Sequence, residues 1–321
     1  MSDKADLPII DLRSFINGSE HQRQAVADQT MSTCESAGFF YLTGHGIEES
    51  QFVSARNAAL DFFHAPASVK TKVHITTVSH HRGYVGNFDV APDTKKGGDI
   101  REAYKVALDL DESDPDYLAG ITLYGPNIWP IEFPHFQTQL YNVYLEFQNL
   151  AVNIFNLFAV GLKLPADFFT DLIEKPASVM NVNYYPAHSP NENTNSGIGA
   201  HSDYEAFAML WQDGVAGLEI ETRENIWKHV EPVPGTLVIN IGDLMARWTN
   251  DRFRATRHRV INISGKERVS MACFGNTNFH APIECIPSCC SPSNPARYAP
   301  TTAGEYLMGA INRTYAYTKT G

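Results

Sequence analysis

The sequence predicts an α+β fold, mainly β with flanking helices, and two features carry that expectation. After about Ser178, short β-like segments alternate with turns at the spacing of an antiparallel sandwich or jelly roll. Before it, apolar residues recur at helical intervals in several stretches. No linker or internal repeat separates the halves, so residues 1–321 are expected to form a single unit. Within it, residues 1–135 make an N-terminal helical and irregular region, and residues 178–285 the jelly-roll core.

The elements follow in chain order. Residues 7–12 are a short apolar run that reads as a strand, and residues 20–37 as a helix with Val26, Met31 and Cys34 inward. Residues 38–46 are an aromatic strand bounded by glycines. Phe52, Ala55, Ala59 and Phe62 mark a helix over 49–64. Residues 71–130 are polar, glycine-rich and irregular, the character of a lid or binding loop. A long amphipathic helix covers 136–162. Strands are then expected at 180–185, 207–211, 217–221, 236–241, 257–263 and 268–274.

Composition narrows the function classes. The chain is 43% hydrophobic and 19% charged, ordinary for a globular protein. A formal charge of −11 argues against a nucleic-acid partner, since phosphate backbones attract basic surfaces. It leaves room for a small anionic ligand, because one well-placed arginine dominates a pocket. The five cysteines are odd in number, and no charged segment followed by an apolar run precedes them. Reduced thiols in a cytoplasm are therefore expected. Cys285, Cys289 and Cys290 lack a CxxC pair and a second half, so a loop is favoured over a metal site. No uninterrupted apolar run approaches the roughly 18 residues of a membrane span, so no membrane association is expected. Oligomeric state is left open.

One short motif suggests a metal. His201-Ser202-Asp203 is an H-x-D pair in a strand or at its end, where residues i and i+2 share a face. His258 begins another predicted strand. Two histidines and a carboxylate on one side of a metal leave positions open, the arrangement of non-haem Fe(II) oxygenases. H-x-D alone arises often by chance, so the surroundings must decide.

Those surroundings resemble the isopenicillin-N-synthase-like branch of the 2-oxoglutarate/Fe(II)-dependent dioxygenases, across nearly the whole chain. The resemblance begins in residues 7–12 and 38–46. It continues through Gly125-Pro126-Asn127-Ile128-Trp129-Pro130, Asn183-Tyr184-Tyr185-Pro186 and Gly199-Ala200-His201-Ser202-Asp203-Tyr204. Gly217-Leu218-Glu219-Ile220, Asn240-Ile241-Gly242-Asp243-Leu244, His258-Arg259-Val260 and Arg268-Val269-Ser270 complete it. It implies a double-stranded β-helix (jelly roll) core in one catalytic unit. It also implies His201, Asp203 and His258 as iron ligands, with Fe(II), 2-oxoglutarate and O2 as cofactor and co-substrates.

Arg268-Val269-Ser270 places a guanidinium and a hydroxyl on one strand face. A guanidinium grips a carboxylate through two charge-assisted bonds, though a lone strand-end arginine is more often solvated. The resemblance favours the first role, at the distal carboxylate of 2-oxoglutarate, with Tyr185 and Asn183 beside it. The implied reaction oxidises a small molecule, most simply by hydroxylation, with release of succinate and CO2. Retention of Asp203 disfavours halogenation. Arg82, Tyr84 and Tyr104 from the irregular segment, with Phe274 and Asn276 beyond the R-x-S strand, are the candidate substrate contacts. The alternatives are an O2-dependent oxidase or cyclase of the isopenicillin N synthase type, an ethylene-forming enzyme, and a silent binding protein on the same scaffold.

Overall fold

Alternation of side chains along the strands decides the architecture. The computed structural model describes residues 4–87, 89, 100–187, 197–262 and 264–314. Strand β1 (Ile9–Asp11), helix α1 (Arg13–Asn17) and helix α2 (Glu20–Ser36) lead into β2 (Phe39–Thr43) and α3 (Glu49–Phe63). The short α4 (Ala67–Lys70), β3 (Gly83–Val85), β4 (Glu102–Ala107) and α5 (Pro115–Leu118) precede the long α6 (Pro134–Gly161). Then come β5 (Val179–Tyr185), β6 (Gly197–His201), β7 (Phe207–Gln212), β8 (Leu218–Glu221), β9 (Trp227–His229) and β10 (Leu237–Ile241). Helix α7 (Asp243–Trp248), β11 (His258–Ile261), β12 (Arg268–Gly275), β13 (Pro282–Ile283), β14 (Thr301–Thr302) and α8 (Ala303–Thr314) complete the chain.

The strands form a large sheet in the order β1-β2-β10-β7-β12-β5-β4-β3 and a small one in the order β6-β11-β8-β9. Together they make the expected jelly roll. One face of the large sheet packs on helices: Phe40 and Leu42 of β2, Met209 and Trp211 of β7, and Val269, Met271 and Cys273 of β12 share one core with α2, α3 and α6. The opposite face looks towards the small sheet, where Phe39, Tyr41, Tyr185 and Val238 meet Leu218, Ile220 and Val260. Each buried Leu, Ile or Phe contributes about 1.5–3 kcal/mol, so the alternation fixes which face each strand presents.

The helices start where local chemistry tells them to. Ser19 and Gln22 form a reciprocal capping box at the head of α2. Pro134 opens α6, whose missing N–H costs nothing in the first turn. Helix α6 lies close against α2 at Gly161, where a Cβ would come within 2.6 Å of the Met31 side chain. By length and composition α6 could cross a membrane, but 56% of its apolar window is buried inside the protein. Its apolar face, including Phe147, Ile154 and Phe158, is the backing of the large sheet.

The segment 71–130 differs from expectation. It contains β3 and β4, and β4 pairs with β5 over six residues. Glu102 and Lys105 make that stretch read as polar, yet all six residues of β4 are buried. The strand expected at His201 is β6, whereas the small-sheet strand β9 and the C-terminal helix α8 are further elements that the sequence pattern does not mark.

Candidate active site

The two sheets bring His201, Asp203 and His258 together. His201 ends β6 and His258 begins β11, and the two stand directly opposite each other in the antiparallel pair. Asp203 follows in the turn after β6. Among the described residues, one potential ligand atom from each lies within 4.8 Å of the others. His201 Nε2 is 3.5 Å and His258 Nε2 3.6 Å from Asp203 Oδ1.

The other side of each group is fixed. His201 Nδ1 is hydrogen-bonded to the Gly199 carbonyl at 2.8 Å, and His258 Nδ1 to that of Thr256 at 3.2 Å. A carbonyl can only accept, so both Nδ1 atoms carry a proton, and both Nε2 atoms face the carboxylate. Asn240 Nδ2 donates to Asp203 Oδ2 at 2.6 Å. The edge of the His258 ring meets Phe39, with centroids 5.5 Å apart. Gly242 is needed behind the site, since a Cβ there would sit 2.1 Å from the Glu205 carbonyl oxygen.

Protonation suits a metal. Burial alone would raise the Asp203 carboxyl, but His258, His201 and Asn240 hold it at about 2. Burial depresses His258 to about 4, against the pull of Asp203. At neutral pH Asp203 is then an ionised carboxylate and His258 a neutral imidazole, the forms that bind metal. Two imidazole nitrogens and one carboxylate oxygen with open positions beyond them match Fe(II).

A cavity between the sheets runs from this cluster to Arg268. Arg268 is fully buried. Its Nε donates to the Val215 carbonyl at 3.0 Å, Nη1 to Ser270 Oγ at 3.3 Å and Nη2 to Gln212 Oε1 at 3.1 Å. Its guanidinium carbon lies 4.9 Å from the centre of the Tyr185 ring. Tyr185 stands opposite Arg268 and Asn183 opposite Ser270 in the β5–β12 register, and all four line the cavity. Arg101 Nη1 donates to Asn183 Oδ1.

The candidate substrate contacts divide. Phe274 lines the cavity; Arg82, Tyr84, Tyr104 and Asn276 do not. Arg82 is fully buried and directs its donors to the carbonyls of His81, Leu108 and Leu123, bracing loops behind the sheet. Tyr84 donates to Glu102 at 2.6 Å on the helix side of β4. Tyr104 points the same way, packs on Phe62 and Phe136 and donates to the Ile128 carbonyl. Asn276 is buried past the end of β12, where its backbone N–H donates to Ser178 Oγ and its Oδ1 accepts from Thr277. In each case strand or loop geometry turns the side chain away from the cavity.

Other residues take those places. His81, Lys105, Asn181 and Glu205 line the cavity, as do Leu307 and Ile311 of α8. Burial and the neighbouring Asp203 push Glu205 up to about 7. Asn181 is within reach of the sequence, being two residues before Asn183 on the same strand face. Lys105 is not, because no pattern marks β4.

Family comparison agrees with this geometry. Residues 176–277 match the model of the 2OG-Fe(II) oxygenase superfamily, and residues 7–132 that of the non-haem dioxygenase in morphine synthesis N-terminal region. The chain belongs to the 2OG-Fe(II) oxygenase superfamily. A 2-oxoglutarate-Fe(II) type oxidoreductase of Emericella nidulans is 32% identical over 314 residues, covering 96% of this chain and 90% of the relative. Homoarginine-6-hydroxylase of Oryza sativa subsp. japonica is 32% identical over 325 residues, covering 97% and 98%. Among solved structures, a full-length Neurospora crassa protein in complex with alpha-KG and thymine superposes with a TM-score of 0.85 at 26% identity, covering 97% and 99%. The oxygenase thus uses Fe(II), 2-oxoglutarate and O2, and oxidises a small molecule with formation of succinate and CO2. The oxidase, ethylene-forming and silent-scaffold alternatives are not favoured.

Proposed function

We propose that His201 Nε2, Asp203 Oδ1 and His258 Nε2 hold Fe(II), that Arg268 and Ser270 take the distal carboxylate of 2-oxoglutarate, and that the outcome is hydroxylation of a small molecule. The observation that carries this is the convergence of both Nε2 atoms on Oδ1 while every other polar atom of the three side chains is committed elsewhere. Iron, when bound, supplies O2 activation coupled to decarboxylation of 2-oxoglutarate.

The chain's own residues do the rest. The Gly199 and Thr256 carbonyls fix the tautomers, and Asn240 fixes the carboxylate. Val215, Gln212 and Ser270 hold the Arg268 fork rigid, so that a carboxylate meets it without reorganisation. Tyr185 and Asn183 lie beside that anchor and fix the orientation of the co-substrate. Ile198, Leu218 and Val260 wall the cavity and exclude water from the reacting groups. Hydroxylation draws support from the relative named as a homoarginine hydroxylase, and a small polar substrate from the neighbour solved with thymine.

Succinate release from 2-oxoglutarate in the presence of Fe(II), O2 and a panel of small molecules tests the reading. Release above the substrate-free background is expected, and its loss in His201→Ala. Unchanged iron affinity and turnover in that variant would refute the ligand assignment. The five free cysteines support the expectation of a reducing, cytoplasmic location. A tagged chain found in a secretory compartment would overturn it.

A further inference from the structure

One donor in the cavity is fixed in direction and left without a partner. Asn181 is 7% exposed, lines the cavity and stands opposite Lys105 of β4 and Ala272 of β12. Lys105 Nζ donates to Asn181 Oδ1 at 3.2 Å. An ammonium only donates, so the atom it meets is the amide oxygen, and the amide nitrogen is turned the other way. Asn181 Nδ2 has no hydrogen-bond partner among the described residues, and it is not one of the polar atoms that burial seals off. Its N–H bonds therefore open onto the cavity. Asn183, two residues on and on the same face, is already spent: its Oδ1 accepts from Arg101, and its Nδ2 donates to the Asn181 carbonyl at 3.4 Å.

Position separates this donor from the co-substrate anchor. Arg268 lies four residues from Ala272 along β12, about 13 Å at strand spacing. In the next row of the same sheet face, Val179, Phe274, Ala208 and Asn240 stand opposite one another in turn, and Asn240 holds Asp203. Asn181 and Asn240 are thus on strands three apart, about 14 Å across the sheet. The cavity here is walled by Val179, Phe274, Leu307 and Ile311, whose side chains offer no hydrogen bond. An apolar body of one or two rings fills that span, and a polar group at its Asn181 end meets a fixed donor.

We propose that Asn181 is a specificity-determining residue: its Nδ2 donates to an sp2 oxygen, of a carbonyl or a carboxylate, on a compact ring-bearing substrate. Lys105 is the positioning residue that holds the amide in that orientation. The proposal rests on the iron and 2-oxoglutarate assignments made above. The in-plane lone pairs of such an oxygen match a planar amide N–H. A substrate with an amino group at that place meets donor against donor. The amide cannot turn over to accept, because turning would set its NH2 against the Lys105 ammonium. The site rejects such an analogue, since a buried donor is then left unpaired. Holding the oxygen at β5 also fixes which carbon of the body reaches the His201–Asp203–His258 cluster.

The test uses protein loaded with Mn(II) and saturating 2-oxoglutarate, which fills the Arg268 anchor. Mn(II) speeds the relaxation of protons on a ligand bound near it, so probe titrations followed by proton NMR report affinity and place together. The probes invert one edge of a ring: 2-pyridone against 2-aminopyridine, and 2-quinolone against 2-aminoquinoline, at a pH that keeps the amines neutral. Benzoate and benzamide tell a carboxylate oxygen from a neutral carbonyl. In the wild type at least one ring carbonyl is expected to bind roughly tenfold or more tightly than its amino partner. Asn181→Asp keeps an oxygen for Lys105 but replaces the donor by an acceptor. It should reverse that preference and weaken the better of benzoate and benzamide by a similar factor. Asn181→Ala removes the donor alone and should bring each ring pair to within about twofold. Both variants keep wild-type affinity for 2-oxoglutarate; if Asn181→Asp loses it, Asn181→Ala carries the comparison. The proposal is overturned if no ring carbonyl outbinds its amino partner, or if the folded variants keep the wild-type preference. Failure of 2-oxoglutarate to bind the wild type would instead refute the co-substrate assignment, and the ring pairs compared without it would still report on Asn181.

Discussion

Asn240 donates from Nδ2 to Asp203 Oδ2 at 2.6 Å, and that bond decides which carboxylate oxygen remains for a metal. Oδ1 is left facing the two Nε2 atoms at 3.5 and 3.6 Å. Asn240 belongs to β10 of the large sheet and Asp203 follows β6 of the small one, so the bond ties the sheets together at the site.

Asn240→Ala should therefore act on metal binding first. Loss of a partner that orients a ligating carboxylate costs about 10–100-fold in metal affinity. Fe(II) titration of the apoprotein is expected to show that loss, with 2-oxoglutarate affinity of the Mn(II)-saturated protein little changed. An unaltered Fe(II) affinity would mean that Asp203 is oriented without Asn240.

Arg268→Lys should act on the co-substrate alone. The guanidinium is held flat by Val215, Ser270 and Gln212, above the Tyr185 ring. An ammonium cannot offer the same fork, and one or two charge-assisted bonds are lost. At about 1.5–3 kcal/mol each, the KM for 2-oxoglutarate should rise at least tenfold. Initial rates against 2-oxoglutarate concentration measure it, and a KM within twofold of wild type would remove Arg268 from the anchor.

Acid sensitivity of the apoprotein should trace in part to His258. Its folded value of about 4 lies below the unfolded 6.5, so the unfolded chain binds the proton more readily. Stability is then lost as pH falls from about 6.5 towards 4. Glu205, raised to about 7, has the opposite sign: its contribution is present below 4.5 and lost as pH rises through 7. The two partly cancel in the wild type, so the comparison must be with His258→Gln. The stability of wild type relative to that variant should fall by about 2–3 kcal/mol between pH 7 and pH 4. Urea unfolding at the two pH values reads it, and a pH-independent difference would place His258 in a more solvated setting.

The strand periodicity makes most of this legible. Residues 180–185 and 268–274 are expected as strands, and the structure gives Val179–Tyr185 and Arg268–Gly275. H-x-D and R-x-S are visible because residues two apart on a strand share a face. The rest of the cavity wall is less legible, for a physical reason. Lys105 and Glu102 lie on opposite faces of a buried strand whose charges are satisfied from other parts of the chain. Lys105 meets Asn181 and Glu102 meets Lys70, 76 and 32 residues away. No local pattern reports such pairing, so a buried strand reads as a polar loop and the expectation at the cavity falls on Arg82, Tyr84 and Tyr104.

Glu102 offers a direct measure of that hidden pairing. Its carboxylate lies 2.5 Å from Lys70 Nζ and accepts from Tyr84 at 2.6 Å, with both ionic side chains nearly buried. Glu102→Ala leaves the ammonium with the Phe63 carbonyl and the Tyr84 ring but no counter-charge from Glu102. Breaking one side of a buried pair costs about 3–5 kcal/mol. Urea unfolding should show that loss, and Lys70→Met combined with Glu102→Leu should recover much of it. Additive losses in the double variant would show that the two groups are energetically independent.

Leu307 should control how well the cavity keeps water out. It is 1% exposed, with Ile311 one turn further along α8, and both close the cavity opposite Leu123 and Ala177. Helix α8 is attached at the edge of the fold, through β13 and β14, a pair outside both main sheets. Truncating its anchor should therefore loosen the helix locally before it threatens the core. Leu307→Ala is expected to raise 2-oxoglutarate consumption in the absence of substrate several-fold, because water reaches the iron site. Proteolysis near the C-terminus should accelerate in parallel, while the KM for 2-oxoglutarate, whose proposed anchor Arg268 lies at the other end of the cavity, stays within about twofold. If substrate-free consumption and proteolysis are both unchanged, α8 is packing for the fold and does not seal the site.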